Sequence, residues 1–325
     1  MKVLVTGGAG FIGGHVADAY VARGDEVWVV DDLSTGKPAN VPAGVAGFLH
    51  ASVLSAEARE LCRTEGFDLV NHHAAQVDVR VSVVDPVRDA STNLLGLLNI
   101  LEGVRDGIRE SGATTRVVNV SSGGVVYGEG VPRPTVETAP KLPASPYGVA
   151  KLTAEVYLDY YRRLHGLEAV TLRYANVFGP RQDPHGEAGV VAIFSQRLLS
   201  GDALTIFGDG EQTRDYVFVG DVVRANLMVG EAPLPTGDAL DDYAYNVGTG
   251  AETSVHRLAD TLEQVAGTGT GRIYRDARLG ELRYSSLDTD RLRSLGWAPR
   301  VSLEEGLRAT FGWIRDSGSD SGPDA

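Results

Sequence analysis

Cysteine is almost absent from this chain: Cys62 is the only one in 325 residues. That excludes an internal disulfide and a thiol-rich metal motif, and it fits a reducing compartment. Long uncharged apolar runs are missing too; none reaches the roughly 18 residues that a membrane helix needs. Nor is there a basic excess. A formal net charge of −13 argues against nonspecific nucleic-acid binding, while leaving room for an anionic substrate held by a few local arginines. The seven histidines, with His72 and His73 adjacent, show no metal-ligand spacing with acids or cysteine, so no catalytic metal is expected. Lys2 leads straight into an apolar run with no signal-like segment before it, and the expectation is a soluble, cytoplasmic protein.

What is present begins at the first residue. Met1 to Gly13, MKVLVTGGAGFIG, is an apolar run, a glycine-rich turn and the start of a helical pattern. Gly7 and Gly10 let the backbone turn tightly and approach a pyrophosphate, and Gly13 lets helix and strand pack closely. The helix N-terminus adds free N–H groups and partial positive charge. The spacing is GxxGxxG rather than GxGxxG, but its place after a strand and before a helix makes a dinucleotide seat the reading. A second apolar run, EVWVV, ends in Asp31 and Asp32. An acid there accepts hydrogen bonds from ribose hydroxyls and repels a 2′-phosphate, and the following DDLSTGKPAN holds no arginine, so NAD is expected over NADP.

Hydrophobic content of 43% suffices for one large core and a smaller lobe. Apolar runs alternate with helical patterns, which predicts a doubly wound parallel α/β sheet of Rossmann type. Strands are expected at Lys2 to Thr6, Glu26 to Asp31, Val45 to Leu49, Asp68 to Asn71, Arg116 to Ser121 and Ala169 to Tyr174. Helices are expected at Phe11 to Arg23, Ala56 to Glu65, Val87 to Ile108 and Pro146 to His165, the last after a surface loop from Gly128 to Ser145. These observations place an NAD-binding domain at 1–178. A smaller C-terminal α/β substrate lobe is expected at 179–315, interleaved with the first, and 316–325, DSGSDSGPDA, reads as a disordered tail.

Tyr147 and Lys151 stand at i and i+4 behind Ser145 and Pro146, a plausible N-cap and first helical residue. That spacing puts both on one helix face. A phenol of ordinary pKa near 10 needs a nearby cation to act as a base at neutral pH, and Lys151 supplies one. The pair alone would pass for a solvated face; its place after a dinucleotide site and after NVSSGGVVYG (Asn119 to Gly128) gives it weight.

TGGAGFIG, VVDDLSTG, HAAQVDVRVSVVDP, TNLLGLLNILE, SSGGVVYG, SPYGVAK, LRYANVFGPRQ, GDGEQTRDYVFVGDV, YNVGTG and GELRYSSLDTDRLRSLGW occur in family order from Lys2 to about Trp313. Together they resemble the extended short-chain dehydrogenases, and within them the nucleotide-sugar epimerases of the UDP-glucose (UDP-galactose) 4-epimerase type. The resemblance implies that Tyr147 is the general base on the sugar 4-hydroxyl while hydride moves from C4 to NAD. Lys151 would hold the nicotinamide ribose and lower the tyrosine pKa. The 4-keto sugar would then turn in the site and take the hydride back on its other face. The resemblance also implies cofactor contacts from Gly7, Gly10, Phe11, Ile12, Gly13, Asp31, Asp32, Ser34, Thr35, Gly36, Lys151 and Tyr174, although Tyr174 could equally be a core residue. Substrate contacts follow for Asn176, Arg214 and Arg278 on the diphosphate side, Glu281 on the uridine ribose, Ser285 beside the sugar C2 substituent, and Tyr216.

The chain departs from the pattern at Gly123, where the family usually carries an assisting Ser or Thr; Ser122 is the nearest hydroxyl and the candidate in its place. Ser52 stands where relatives often have a Gly-Asp pair near the adenine. A small Ser285 leaves glucose and N-acetylglucosamine both open, and glucuronic acid is a further alternative. A dehydratase or decarboxylase would need acids where Gly124 and Val125 stand, and a non-catalytic dinucleotide sensor would not need Tyr147 and Lys151. The long helices at Val87 to Ile108 and Pro146 to His165 could pair with their copies in a homodimer or simply cover the sheet.

Overall fold

Seven parallel strands, all but one edge strand buried on both faces, carry the molecule. The computed structural model describes residues 1–184, 189–277 and 282–319. In chain order the first half runs β1 (Lys2–Thr6), α1 (Phe11–Arg23), β2 (Glu26–Asp31), β3 (Gly47–His50), α2 (Ala56–Thr64) and β4 (Leu69–His72). It continues with α3 (Val79–Val84), α4 (Pro86–Ala90), a π-helical turn (Ser91–Leu95), α5 (Gly96–Ser111), β5 (Arg116–Ser122), α6 (Gly123–Tyr127), α7 (Pro146–His165) and β6 (Glu168–Tyr174). The second half contains β7 (Asn176–Phe178), α8 (Val190–Ser200), β8 (Leu204–Phe207), β9 (Thr213–Arg214), β10 (Tyr216–Phe218) and α9 (Val219–Glu231). It ends with β11 (Ala244–Val247), β12 (Thr253–Ser254), α10 (Val255–Ala266), β13 (Arg272–Arg275), α11 (Asp290–Ser294) and α12 (Leu303–Ser319).

The sheet order is β11-β6-β5-β4-β1-β2-β3. The order reverses between β1 and β4, so a crevice opens beyond their C-terminal ends, where such sheets bind ligands. Each strand sends alternate residues to opposite faces. Val3, Val5, Val118, Leu172 and Tyr174 pack under α1 and α9, while Leu4, Val70, Val117 and Ala169 pack under α2, α5 and α7. A separate core of Phe194, Leu204, Leu258, Leu262 and Leu307 joins α8, α10 and α12 around the β8–β13 pair.

The expected strands and helices are present, with informative differences. Ser145 Oγ accepts from Gly148 N–H at 3.2 Å and Pro146 begins α7, as its capping pattern predicts. The single helix expected over Val87 to Ile108 is instead α4, the π turn and α5, because the extra residue of a π turn re-aims the following face. Parts of the second half return to the sheet: β11 joins its edge beside β6, and α9 and Trp297 pack in its core. Helix α12 runs through Ser319, into the stretch expected as a disordered tail from 316; the remainder, 320–325, lies outside the described residues.

Behind α7 sits a buried charge cluster. Arg173 on β6, fully buried, donates to both Glu155 carboxylate oxygens on α7, to Asp241 Oδ1 at 2.8 Å, to Tyr127 Oη at 2.9 Å and to the Glu137 carbonyl. Five N–H donors in a planar fork allow one residue to tie α7, α6 and the loop before β11 together. Removing a shared cation strands buried carboxylates, so Arg173→Met is expected to lower stability by about 3–5 kcal/mol, measured by urea unfolding; an unchanged midpoint would show that the cluster carries no net weight.

Candidate active site

The crevice at the β1–β4 switch is lined by the turn after β1. Gly7 has φ +68, and a Cβ there would lie 2.7 Å from the Ala74 nitrogen. A Cβ at Gly13 would overlap the Gly7 carbonyl oxygen, so the turn closes only with glycine at both places. Gly10 is the N-cap of α1 without a side-chain cap, and no acid stands in the first turn. The N–H groups of Phe11 and Ile12 are therefore among the orphan donors of the helix start, facing the crevice with its partial positive charge. Asp31 is buried at the end of β2. Its oxygens accept from Ala9 N–H at 2.9 Å and Leu33 N–H at 2.8 Å, so it braces the turn while each oxygen keeps acceptor capacity for a ribose hydroxyl. Burial raises its pKa against those two hydrogen bonds. Asp32 is exposed and caps Ser34 N–H at 2.9 Å; Thr35 is exposed beside it, and a Cβ at Gly36 would crowd Asp31 Oδ1.

The Tyr147–Lys151 pair lies further along the strand ends, both side chains buried. The Lys151 ammonium sits 5.8 Å from the Tyr147 ring centre and donates to the Val120 carbonyl of β5 at 3.0 Å. Burial pushes its pKa down to about 8, with Asp89 and Glu155 pulling the other way. His72 and His73 at the end of β4 are pushed down to about 3 by burial and by the Lys151 charge, so both are neutral.

The pleat separates two serines. Ser121 pairs in register with Arg173, on the face covered by α7, and its buried Oγ has no hydrogen-bond partner. Ser122 pairs with Tyr174, on the face covered by α1 and α9, and starts α6 without a side-chain cap. Tyr174 itself is a core residue: its ring lies 6.4 Å from that of His73, and its hydroxyl accepts from Asn226 at 2.6 Å.

The C-terminal lobe closes over this edge through Asp215, which is buried. It accepts from the Thr249 hydroxyl at 2.6 Å and from the N–H groups of Thr249, Gly250 and Leu287, and its own carbonyl accepts from Asn176 N–H at 2.9 Å. Leu287 then lies against α6: a Cβ at Gly123 would fall 2.6 Å from Leu287 Cδ1. A side chain at position 123 would therefore require Leu287 to shift its methyl groups. Ser285 Oγ is 3.4 Å from where a Cβ would stand at Gly124, at the start of α6. Asn176 is exposed at the start of β7, paired in register with the buried Tyr216. Arg214 is half-buried, donates to the Thr213 carbonyl and forms no ion pair among the described residues. Arg278 and Glu281 lie outside the described residues. Sequence reasoning passed over Ser121, Asn119 and Asp215. Asp215 stands next to Arg214 in the same motif, yet its role depends on loops distant in sequence.

These residues fit a nicotinamide dinucleotide. The glycine turn leaves no room for a Cβ, and among the described residues buried polar atoms on Asn119 and Ser121 of β5 and on His73 just after β4 stand without partners. Such a fold, with a buried Tyr-Lys pair beyond its fifth strand, defines a short-chain dehydrogenase-type nicotinamide enzyme. The chain belongs to the NAD dependent epimerase/dehydratase family, whose sequence model matches residues 3–248. It is 44% identical over 322 residues to a UDP-glucose 4-epimerase of Mycolicibacterium smegmatis, covering 97% of this chain and 99% of that one. The crystal structure of a Thermotoga maritima UDP-glucose 4-epimerase with UDP-glucose superposes with a TM-score of 0.91 at 45% identity, covering 98% and 99% of the two chains. A Thermus thermophilus UDP-glucose 4-epimerase in complex with NAD gives 0.87 at 43% identity, covering 97% and 99%.

Burying Lys151 has a stability consequence whose sign is fixed. Below about pH 8 the ammonium is charged in folded and unfolded chains alike, and its desolvation penalty is present in full. Above that the folded chain sheds the proton first, and the penalty fades toward the ordinary lysine value near 10.4. The stability of the wild type relative to Lys151→Met is therefore expected to rise by about 2–3 kcal/mol between pH 7 and pH 10, on top of a pH-independent offset from taking a cation away from Asp89. Urea unfolding of both proteins at both pH values checks this; a stability difference that does not change with pH would contradict it.

Proposed function

We propose that this protein inverts C4 of a UDP-sugar, with NAD retained in the glycine-turn crevice. The observation that carries the reading is the buried Tyr147–Lys151 pair at the strand ends beside that crevice. When bound, NAD supplies the acceptor and later the donor of hydride for the sugar carbon. Tyr147 takes the proton of the 4-hydroxyl and returns it to the oxygen of the inverted sugar. Lys151 favours the phenolate by its charge and is aimed by the Val120 carbonyl. Ser121 is favoured over Ser122 as the assisting hydroxyl because the pleat turns it toward α7. Asn176, Arg214 and Tyr216 hold the diphosphate end, with Arg278 and Glu281 as the remaining candidates for the nucleotide and Ser285 beside the sugar. Gly124 and Val125 offer no carboxylate for a C5 or C6 proton, which disfavours a dehydratase or decarboxylase. Ser285 leaves space at C2, so the N-acetylated pair is the second reading.

A homodimer is part of the same proposal. Val149, Val156, Tyr160 and Leu164 on α7, with Val87 on α4 and Leu95 on the π turn, leave apolar side chains exposed on neighbouring elements, more than a monomeric helix pair needs. Among the described residues no helix is long and apolar enough to cross a membrane, and the reading places the enzyme in the cytoplasm. Light scattering is expected to give twice the chain mass, and Val156→Asp/Leu164→Glu half of that; a wild-type monomer at micromolar concentration would overturn the dimer.

The activity test incubates the purified protein separately with UDP-glucose, UDP-N-acetylglucosamine and UDP-glucuronic acid and follows the anomeric protons by NMR. The galacto-configured product is expected without added NAD. Tyr147→Phe is expected to lower kcat at least about a hundredfold. Ser121→Ala is expected to cost about tenfold, one lost hydrogen bond, and Ser122→Ala less. No product from any of the three sugars, with NAD supplied, would sink the assignment.

A further inference from the structure

The buried ammonium of Lys151 needs negative charge, and the surroundings narrow where it comes from. Among the described residues, the titratable and charged groups facing Lys151 are Tyr147 and Glu155 on its own helix, His72 and His73 from β4, and Asp89 from α4; β5 presents the Val120 carbonyl and, on the face covered by α7, the Ser121 hydroxyl. The histidines are neutral. Glu155 is already matched, since both of its oxygens accept from the fully buried Arg173. Asp89 is different. It is fully buried, and α4 packs against α7. Among the described residues it has no cation at ion-pair distance, and it influences Lys151 through space.

The Asp89 carboxylate is held in place. Its Oδ1 accepts from Gln76 Nε2 at 2.8 Å and from Asn93 Nδ2 at 2.9 Å, and Asn93 also donates to the Gln76 carbonyl at 2.9 Å. Asn93 lies in the π turn four residues after Asp89, a spacing that puts the two side chains on one helix face. Asp89 Oδ2 and Asn93 Oδ1 are buried acceptors without donors. An ammonium carries three N–H donors, and one of those of Lys151 meets Val120. The elements that carry these acceptors, α4 and the π turn, both pack against α7, which carries the buried cation.

We propose that Asp89 is the counter-ion of Lys151: a positioning residue, fixed by Gln76 and the π turn, that keeps the ammonium protonated beside Tyr147. The proposal rests on the catalytic reading of that pair, but its test does not depend on which sugar is turned over. Besides Lys151 the chain has only Lys2, Lys37 and Lys141, so 13Cε-lysine NMR resolves the titration of Lys151, assigned with Lys151→Arg. Asp89→Asn keeps the shape and removes the charge. It is expected to lower the Lys151 midpoint by about one pH unit and to move the alkaline limb of kcat down by the same amount, with KM little changed. Asp89→Glu is expected to restore both. A Lys151 midpoint that stays at the wild-type value in Asp89→Asn would overturn the proposal, whatever happens to activity. Should Asp89→Asn fail to fold, Lys151→Met reads the same coupling from the other side, because linkage is reciprocal. The Asp89 carboxyl midpoint is then expected to rise, and an unmoved midpoint would overturn the proposal equally.

Discussion

One positive charge, kept out of water at the edge of a parallel sheet, sets the terms for much of this structure. Desolvating an ammonium is costly, and a protein that needs it charged must surround it with acceptors and opposite charge. Lys151 has the Val120 carbonyl in front and the Asp89 and Glu155 carboxylates around it. The helix that carries it is pinned from behind by Arg173 through Glu155. The same clamp reaches Tyr127 at the end of α6 and Asp241 before β11, so the turn that follows β5 and the helix that carries Tyr147 are positioned by one guanidinium.

The second lobe completes the site by a different device, a buried carboxylate that collects backbone donors. Asp215 gathers Thr249, Gly250 and Leu287 and places Leu287 against Gly123. Its burial raises its pKa, while four hydrogen bonds favour the charged form. Gly123 and Leu287 thus pack closely across the two lobes, with the leucine methyls against the start of α6.

Much of the framework was legible along the chain. The glycine turn, the acid after the second strand and the capped helix from Pro146 to His165 depend on neighbours within a few residues, and local rules suffice for such features. The break inside Val87 to Ile108 was not legible, because a π turn is a response to what packs against a helix and leaves the apolar spacing nearly intact. The choice between Ser121 and Ser122 was not legible either. Adjacent strand residues point to opposite faces, and which face meets α7 is settled only when β5 lies beside β6.

The sequence by itself determined the parallel α/β plan, the dinucleotide seat and the identity of the Tyr147–Lys151 pair, since each is written in residue type and short-range spacing. The tertiary structure decided what surrounds that pair. Asp89, Arg173, Ser121 and Asp215 take their roles from charges, donors and volumes contributed by segments far apart in the chain. Burial and electrostatic coupling are properties of the packed interior, and no local pattern encodes them.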